Sequence, residues 1–265
     1  MKMNNSIIEI NNLSLSISNK TILDSVSLQI YEGDYLSIIG PNGAGKTSLL
    51  KCLMRIYSGS DGAIKFLGTP IEKFSQKNLA KLISYVPQSD GRIFPFTVEE
   101  FVMIGRYPHL SPFTSFNAED KKSVQAALEL TKTKQFCDRQ LNTLSGGERQ
   151  IVFIAAALAQ GADILLLDEP TTFLDPKHEQ EIYKILRKIN TQLCKTIISV
   201  THDINSAALQ SEKVIILKNG KVNFSGKATE IMSNNILEKA YEKSFTFTNH
   251  PITGQTIIAP ETPQA

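Results

Sequence analysis

A glycine-rich stretch between a predicted strand and a predicted helix constrains this chain more than any other feature. It follows a continuous apolar run at residues 36–39 and precedes apolar residues at helical spacing from Leu49 onward. The stretch has the spacing G-x-x-x-x-G-K-[ST], and a strand before it and a helix after it are the context that this motif requires. Its residues are Gly40, Pro41, Asn42, Gly43, Ala44, Gly45, Lys46 and Thr47, and we expect Ser48 to act with them. The sequence therefore predicts a buried strand that passes through a tight loop directly into a helix.

The loop is suited to binding phosphate groups. Glycines allow successive backbone N–H groups to point at one position, and the start of a helix adds a partial positive charge there. We expect Lys46 to contact the β- and γ-phosphates of a nucleoside triphosphate and the Thr47 hydroxyl to bind Mg²⁺. The alternative is a glycine-rich turn with an exposed lysine, and the flanking strand and helix favour the phosphate loop.

Composition and charge exclude several classes of protein. The 265 residues are 42% hydrophobic and 20% charged, which excludes disordered, collagen-like and low-complexity chains. The formal net charge is only +2, so we expect no nucleic-acid partner. The longest strongly apolar run, residues 151–159, is shorter than the roughly 20 residues that span a bilayer.

The N-terminus and the cysteines predict a cytoplasmic location. No charged segment followed by an apolar one comes after Met1, so we expect no secretory signal. Cys52, Cys137 and Cys194 are odd in number and far apart in the sequence, which favours reduced thiols over disulfides or a zinc site.

Apolar periodicity predicts an α/β fold. Apolar and polar residues alternate along residues 7–31, which is typical of half-buried antiparallel strands. Four continuous apolar runs predict strands that helices cover on both faces: residues 36–39, 164–167, 197–200 and 214–217. Between the second and third runs, apolar residues recur at helical spacing, which predicts a βαβ crossover. We expect a P-loop NTPase core with a mostly parallel sheet, an N-terminal antiparallel β subdomain and an inserted α-helical subdomain.

The same patterns divide the chain into one domain and a tail. We expect a single domain over residues 1–233, with the core and β subdomain in residues 1–88 and 141–233 and the helical insertion in residues 89–140. Residues 234–265 have weak periodicity and a polar, proline-containing end, so we expect a peripheral C-terminal segment.

Two acidic residues follow the second of the buried runs. Asp168, Glu169 and Pro170 come directly after residues 164–167, at the end of a parallel strand where open α/β sheets bind ligands. We expect Asp168 to hold Mg²⁺ directly or through water, and Glu169 to orient the attacking water or accept its proton. The alternative is that acidic residues merely end the strand at a turn before proline.

A third motif identifies a family. The stretch Leu144-Ser145-Gly146-Gly147-Glu148-Arg149-Gln150, together with the phosphate loop and the two acids, resembles the signature of ATP-binding-cassette (ABC) ATPases. Its spacing also fits a capping box that starts a helix, and both interpretations can hold. The resemblance implies that Ser145, Gly146, Gly147 and Glu148 meet the γ-phosphate held by a second copy of the chain. It therefore implies an ATP-dependent homodimer that encloses two ATP sites.

Three more residues match positions of the ABC family. The resemblance implies that Gln88 reaches Mg²⁺ and the attacking water, that His202 contacts the γ-phosphate and that Asp175 lies at the dimer interface. In isolation each has a structural alternative: a surface amide for Gln88, a structural histidine for His202, and a helix-capping residue for Asp175.

The chain departs from the family at two positions. Ile17 stands where family members often carry an aromatic residue that stacks on adenine, so we expect an aliphatic contact with the base and weaker base selectivity. Ala156 stands where many members have arginine, and no consequence follows from the sequence.

Three further stretches resemble one group within the family. Residues 97–100, 104–109 and 250–254 are similar to importer ATPases for iron-siderophore, haem and cobalamin. This resemblance implies ATP and Mg²⁺ as cofactors, two membrane-spanning permease subunits and, indirectly, an extracytoplasmic solute-binding protein as partners. It implies a peripheral location at the cytoplasmic face of the cell membrane.

An apolar group in the helical insertion is a candidate docking face for membrane subunits. Its residues are Ile93, Phe94, Pro95, Phe96, Val98, Phe101, Val102 and Met103. Packing in the core is the alternative for these side chains. The alternative functions are a soluble ABC ATPase of the iron–sulfur assembly type, an exporter cassette, and a nucleotide-gated scaffold, which the presence of Glu169 and His202 disfavours.

Overall fold

The computed structural model describes residues 6–59, 61–88, 94–111, 114–232, 235–252 and 254–259. The strands are β1 (Ser6–Ile17), β2 (Lys20–Tyr31), β3 (Tyr35–Ile39), β4 (Asp61–Phe66), β5 (Thr69–Pro70), β6 (Ile83–Val86), β7 (Ile164–Asp168), β8 (Thr196–Val200), β9 (Lys213–Lys218), β10 (Lys221–Lys227), β11 (Phe247–Asn249) and β12 (Thr256–Ile258). The α-helices are α1 (Lys46–Leu53), α2 (Gln76–Leu82), α3 (Val98–Ile104), α4 (Ala118–Leu130), α5 (Gly146–Ala159), α6 (Pro176–Leu193), α7 (Ile204–Gln210) and α8 (Ile236–Tyr241). The α/β class predicted from the sequence is confirmed.

The chain forms two compact units. Unit 1 contains residues 1–71 and 198–265, and unit 2 contains residues 72–197. The division falls inside β8, so it does not coincide with the domain boundaries expected from the sequence. The boundaries expected from the sequence, at residues 88, 140 and 233, stay a prediction.

The N-terminal part of unit 1 is an antiparallel sheet with the strand order β2-β1-β4-β5. Ile8 pairs with Ile30 and Ile10 pairs with Leu28, and these four side chains are buried. The alternation along residues 7–31 therefore follows from one face that packs inward while the other faces solvent. The predicted antiparallel strands are confirmed.

The phosphate loop of unit 1 follows a strand that is buried at every position. β3 pairs in parallel with β9, which pairs antiparallel with β10. Helix α8 packs beneath this sheet, where Leu237 and Ala240 join Ile39 and Ile216 in one apolar cluster. The C-terminal segment, expected to be peripheral, thus contributes buried residues to the core of unit 1.

Unit 2 contains the parallel pair β6 and β7 together with helices α2 to α6. In its described residues between 94 and 140 the only β pairing is an isolated bridge between Thr97 and Gln140, and the regular elements are helical. Gly105 allows α3 to approach α5, because a Cβ at this position would overlap the Ala156 carbonyl. The insertion predicted from the sequence is helical as expected.

A buried ion pair connects the helices of the insertion. Arg106 Nε lies 2.9 Å from Asp120 Oδ1, and the two side chains are only 7% and 3% exposed. Arg106 also donates to the Ala159 carbonyl at the end of α5. The pKa of Asp120 is lowered, chiefly because its carboxylate accepts the backbone N–H of Asn117, and the Arg106 guanidinium lowers it further. Arg106 thus fixes the end of α3 against both α4 and α5.

Replacing Arg106 with methionine should destabilise the chain by about 3 kcal/mol, because Asp120 is left charged and buried. Urea unfolding followed by circular dichroism measures the change. Adding Asp120→Asn should recover part of this loss, because the uncompensated charge is removed. Glu129→Gln is the control, since it breaks an exposed ion pair with Lys134 and should cost far less than Arg106→Met. Equal losses for Arg106→Met and Glu129→Gln would contradict the assignment.

Candidate nucleotide-binding and hydrolysis site

The phosphate loop joins β3 to α1 and depends on glycine for two reasons. Gly40, Gly43 and Gly45 have positive φ angles of 144°, 79° and 98°. A Cβ on Gly40 would overlap the Leu217 carbonyl, and one on Gly45 would lie 2.8 Å from the Ile22 carbonyl oxygen. Beside Gly43 no atom lies within 4 Å of an added Cβ. Gly40 and Gly45 are therefore required by close packing, whereas Gly43 leaves an open surface.

Lys46 is folded back over this loop. Lys46 is only 7% exposed. Its Nζ donates to the carbonyl oxygens of Gly40 at 2.8 Å and Pro41 at 3.0 Å. The ammonium group is thus held within the loop, which contradicts the alternative of a turn with an exposed lysine. A cation in this position attracts phosphate oxygens.

The start of α1 differs from that of most helices in the described chain. Six others, α2 to α7, begin at a side chain that accepts a backbone N–H: Ser75, Thr97, Asn117, Ser145, Asp175 and Asp203. α1 begins at Gly45, where no side chain caps the helix. An anion supplies what a cap would, because it accepts the N–H groups of the first turn and is attracted by the helix dipole. The loop therefore fits a triphosphate.

Unit 1 also contains His202 and Ile17. The Thr201 N–H, directly after β8, donates to the Ile38 carbonyl of β3 at 3.2 Å, and Asp203 caps α7 by accepting the Ser206 N–H at 3.1 Å. His202 lies between these two fixed residues with an exposed side chain. Ile17 ends β1 and is 37% exposed. The expected contacts of His202 with γ-phosphate and of Ile17 with the base stay predictions.

The acids of unit 2 lie at the end of β7. Asp168 is buried, with an exposed fraction of 4%, and its Oδ2 accepts the Tyr85 hydroxyl at 3.2 Å. The parallel register of β6 and β7 pairs Val86 with Leu167 and so brings the residues beyond both strands together. Gln88 Nε2 accordingly donates to Glu169 Oε2 at 2.9 Å.

Glu169 is held in a strained conformation. Its φ of +49° lies in the left-handed region, which costs a non-glycine residue on the order of 1 kcal/mol. The Thr172 hydroxyl donates to the same Oε2 atom that Gln88 contacts, at 3.0 Å. Two donors and the backbone thus fix the orientation of this carboxylate. The sequence pattern identified Gln88 and Glu169 but gave no role to Tyr85 and Thr172, each of which lies only three residues from one of them.

The residues expected to bind Mg²⁺ are Thr47, Gln88 and Asp168. They offer hydroxyl, amide and carboxylate oxygens, which are the ligands that Mg²⁺ prefers. The described residues contain no group of three or more His, Cys, Asp or Glu side chains that could hold a metal ion. The donor types of the three residues suit Mg²⁺, and its binding by them stays a prediction.

The signature stretch begins α5 with a capping box. Ser145 Oγ accepts the Glu148 N–H at 3.2 Å, and Glu148 Oε2 accepts the Ser145 N–H at 2.8 Å. The pKa of Glu148 is lowered, chiefly because of that backbone hydrogen bond. Asp175 similarly caps α6, since its Oδ1 accepts the N–H groups of Lys177 at 2.9 Å and His178 at 3.1 Å. The capping functions are confirmed, while the contacts of both stretches with a second copy stay predictions.

Comparison with known proteins shows to which family the chain belongs. Residues 23–172 match the family model described as ABC transporter. The iron(3+)-hydroxamate import ATP-binding protein FhuC of Bacillus subtilis (strain 168) is 39% identical over 92% of this chain and 91% of its own length. The chain belongs to the ABC transporter family. Like other ATP-binding subunits of this family, it is a transport-coupled ATPase that binds ATP. Lys46 and Glu169 both lie within the residues that match the family model.

Other members of the ABC family are also similar. The hemin import ATP-binding protein HmuV of Streptomyces coelicolor (strain ATCC BAA-471 / A3(2) / M145) is 33% identical over 94% of this chain and 88% of its own length. The dimeric structure of MJ0796, a bacterial ABC transporter cassette, superposes with a TM-score of 0.73 at 30% identity and covers 83% of this chain and 98% of that one. No α-helix in the described part of this ABC protein is long and apolar enough to cross a bilayer.

Lys46→Ala should lower the affinity for ATP by about 10- to 100-fold, the value of one or two hydrogen bonds from a charged donor. Titration with a fluorescent ATP analogue measures the affinity. Lys51→Ala is the matched control, because Lys51 lies in the last turn of the same helix and its Nζ lies over the Tyr57 ring. The assignment of Lys46 is wrong if both variants bind the nucleotide as tightly as the wild type.

Proposed function

We propose that this chain is the ATP-hydrolysing subunit of a membrane importer for an iron chelate, a ferric siderophore or haem, with cobalamin as the related alternative. The two curated relatives described above are import ATP-binding proteins, one for iron(3+)-hydroxamate and one for hemin. Similarity over more than nine-tenths of the chain supports the same function, ATP binding for import, in this protein. The protein then lies at the cytoplasmic face of the membrane and receives no solute itself.

The proposed chemistry is the hydrolysis of the γ-phosphate of ATP. Lys46 and the backbone N–H groups of the loop bind the phosphates. Thr47, Gln88 and Asp168 are the proposed protein ligands of Mg²⁺, which neutralises charge on the phosphate oxygens when bound. Glu169 orients the attacking water or accepts its proton. Its carboxylate is held for this by Gln88 and Thr172, whose donors leave it little rotational freedom.

Each chain supplies half of the proposed site. The uncapped start of α1 binds the triphosphate from one side, and the start of α5 in a second copy covers it from the other. A bacterial cassette 30% identical to this chain is described as dimeric, which supports the pairing of two copies. ATP thus becomes part of the interface, so that binding closes the homodimer and hydrolysis opens it.

An apolar groove in unit 2 is the proposed docking surface for the permease subunits. Its volume is about 330 Å³. Its lining includes Phe94, Phe101, Ile104, Tyr107, Phe153 and Ala156. The rings of Phe94, Phe101 and Phe153 form a cluster with centroid distances of 5.1 to 5.8 Å. Ile104 and Tyr107 are 44% and 72% exposed. Rigid aromatic walls with exposed apolar edges are typical of surfaces that bind a partner element.

The apolar group predicted from the sequence as a docking face contains both groove-lining and core residues. Phe94 and Phe101 line the groove, whereas Val98 and Val102 are fully buried in the core, as the alternative stated. Ile93 lies outside the described residues, as does Thr253 of the C-terminal stretch that resembles the importers.

One observation carries the transport-coupled proposal: residues that line the groove contact the acids at the end of β7 or precede a residue that does. Tyr85 lines the groove, and its hydroxyl donates to Asp168. Pro87 also lines the groove and directly precedes Gln88, which contacts Glu169. A partner element that moves in the groove therefore displaces the groups that position the metal ligand and the water.

Glu169→Gln should bind ATP but hydrolyse it at least about a hundredfold more slowly, because the amide cannot accept the proton of the attacking water. The ATP-bound protein should then accumulate as a dimer, which size-exclusion chromatography with light scattering detects. ADP in place of ATP is the control and should leave monomers. Normal turnover by this variant would remove the role assigned to Glu169.

The proposed function is tested by reconstitution of the chain with candidate permease subunits in lipid vesicles. ATP-dependent uptake of a ferric siderophore, haem and cobalamin is measured side by side. Uptake of one of the iron chelates is expected. Uptake of cobalamin alone would change the solute class, and release instead of uptake would indicate an exporter. Absence of any complex with membrane subunits would favour a soluble ATPase.

Docking in the groove has its own prediction. Ile104→Glu should abolish uptake in the vesicles and reduce co-purification with the permease about tenfold or more, since a charged side chain enters an apolar contact. ATP affinity should stay unchanged. Ile56→Glu is the control, because Ile56 is 58% exposed outside the groove. Equal uptake by both variants would place the docking surface elsewhere.

A further inference from the structure

The two glycines of the signature stretch have different surroundings. A Cβ on Gly146 would meet only Leu174 Cδ2, at 3.9 Å, which is an ordinary contact. A Cβ on Gly147 would overlap the Cβ, Cγ and Cδ2 atoms of His178. Gly147 is also buried, whereas Gly146 is exposed. The backbone at Gly147 therefore lies directly against a side chain of the next helix, α6.

Backbone conformation does not explain the glycine at position 147. Neither Gly146 nor Gly147 is among the residues with a positive φ, and both lie in the first turn of α5. Alanine is favourable at such helical positions. The contact with His178 is thus the one feature of the described chain that excludes a side chain from position 147.

The His178 ring is itself fixed. Its Nδ1 lies 2.5 Å from Asp175 Oδ2, while Asp175 Oδ1 accepts the backbone N–H groups that start α6. The pKa of Asp175 is lowered, chiefly because of the hydrogen bond from His178, so Asp175 is a carboxylate at neutral pH and Nδ1 is the donor. Helix α6, its cap and the ring therefore form one rigid support beneath the signature stretch.

We propose that His178 is a positioning residue for the signature stretch, and that it joins this stretch to Asp175. The inference rests on the proposed function, in which the start of α5 covers the γ-phosphate bound by a second copy. The ring sets how far α5 can approach α6 and thereby where the N–H groups of its first turn point. Since Asp175 holds the ring, a displacement of Asp175 at the dimer interface moves the signature stretch as well.

A double-substitution experiment tests the contact. In the Glu169→Gln background, the dissociation constant of the ATP-bound dimer is measured by analytical ultracentrifugation. Gly147→Ala should raise this constant about tenfold or more, because the overlap displaces the start of α5. In a His178→Gly background, where the space is empty, adding Gly147→Ala should change the constant by less than about threefold. Gly146→Ala is the control, and its effect should be the same in both backgrounds.

A second pair of variants separates positioning from simple packing. His178→Leu keeps the bulk beside Gly147 but cannot donate to Asp175, and it should weaken the ATP-bound dimer about tenfold. His178→Asn can still donate to Asp175, and it should restore most of the affinity. Binding of ATP to the monomer, measured with a fluorescent analogue, should be unchanged in both, because the phosphate loop lies in unit 1.

Three outcomes would overturn the inference. One is an equal loss from Gly147→Ala with and without the His178 side chain, which would mean that the nucleotide alone requires the glycine. Another is equal dimer affinity for His178→Leu and His178→Asn. The third is wild-type dimer affinity in every His178 variant. If instead the Glu169→Gln protein forms no dimer with ATP at all, the proposed function fails, and the two failures are thus distinguishable.

Discussion

The structure depends on a helix start that no side chain caps. A capping side chain at α1 would stabilise the helix by about 1 kcal/mol, and this chain has such a residue at the starts of α2 to α7. At α1 it has Gly45, packed so closely on the Ile22 carbonyl that any side chain would collide. The start of α1 therefore has no side-chain cap that would compete with a ligand, and it follows the buried strand β3 directly through the loop. In the proposed function, ATP that binds at this helix start supplies the stabilisation that a capping side chain would give.

Much of the fold could be predicted because burial on both faces leaves a simple signal. Residues 36–39, 164–167, 197–200 and 214–217 read as strands because every position is apolar or small. β4 could not be found in this way, since it begins with Asp61 and Gly62 and only its last part is buried. The packing of α8 into the apolar cluster that contains Ile39 was also missed, because a helix of six residues is too short to show a period.

The candidate site could be predicted residue by residue, but not as an arrangement. Gln88 and Glu169 were assigned from motifs that lie far apart in the sequence, and their hydrogen bond depends on the register of β6 against β7. The register is a tertiary property that no local pattern contains. Thr172 and His178 were missed for a different reason: each lies only three residues from the carboxylate that it contacts, and no motif assigned a function to either side chain.

The residues that link this chain to siderophore and haem importers have a structural meaning that explains why they say little about solute. Arg106 is buried against Asp120 and the end of α5, and His109 contacts the Gln160 carbonyl at 2.8 Å. These bonds hold Ile104 and Tyr107 at the edge of the apolar groove. In the proposed function the permease is the partner that enters this groove, so residues that shape the groove bear on that contact. Under that proposal the similarity reflects the type of membrane subunit that the chain contacts, and it says little about solute, which other proteins would contact directly.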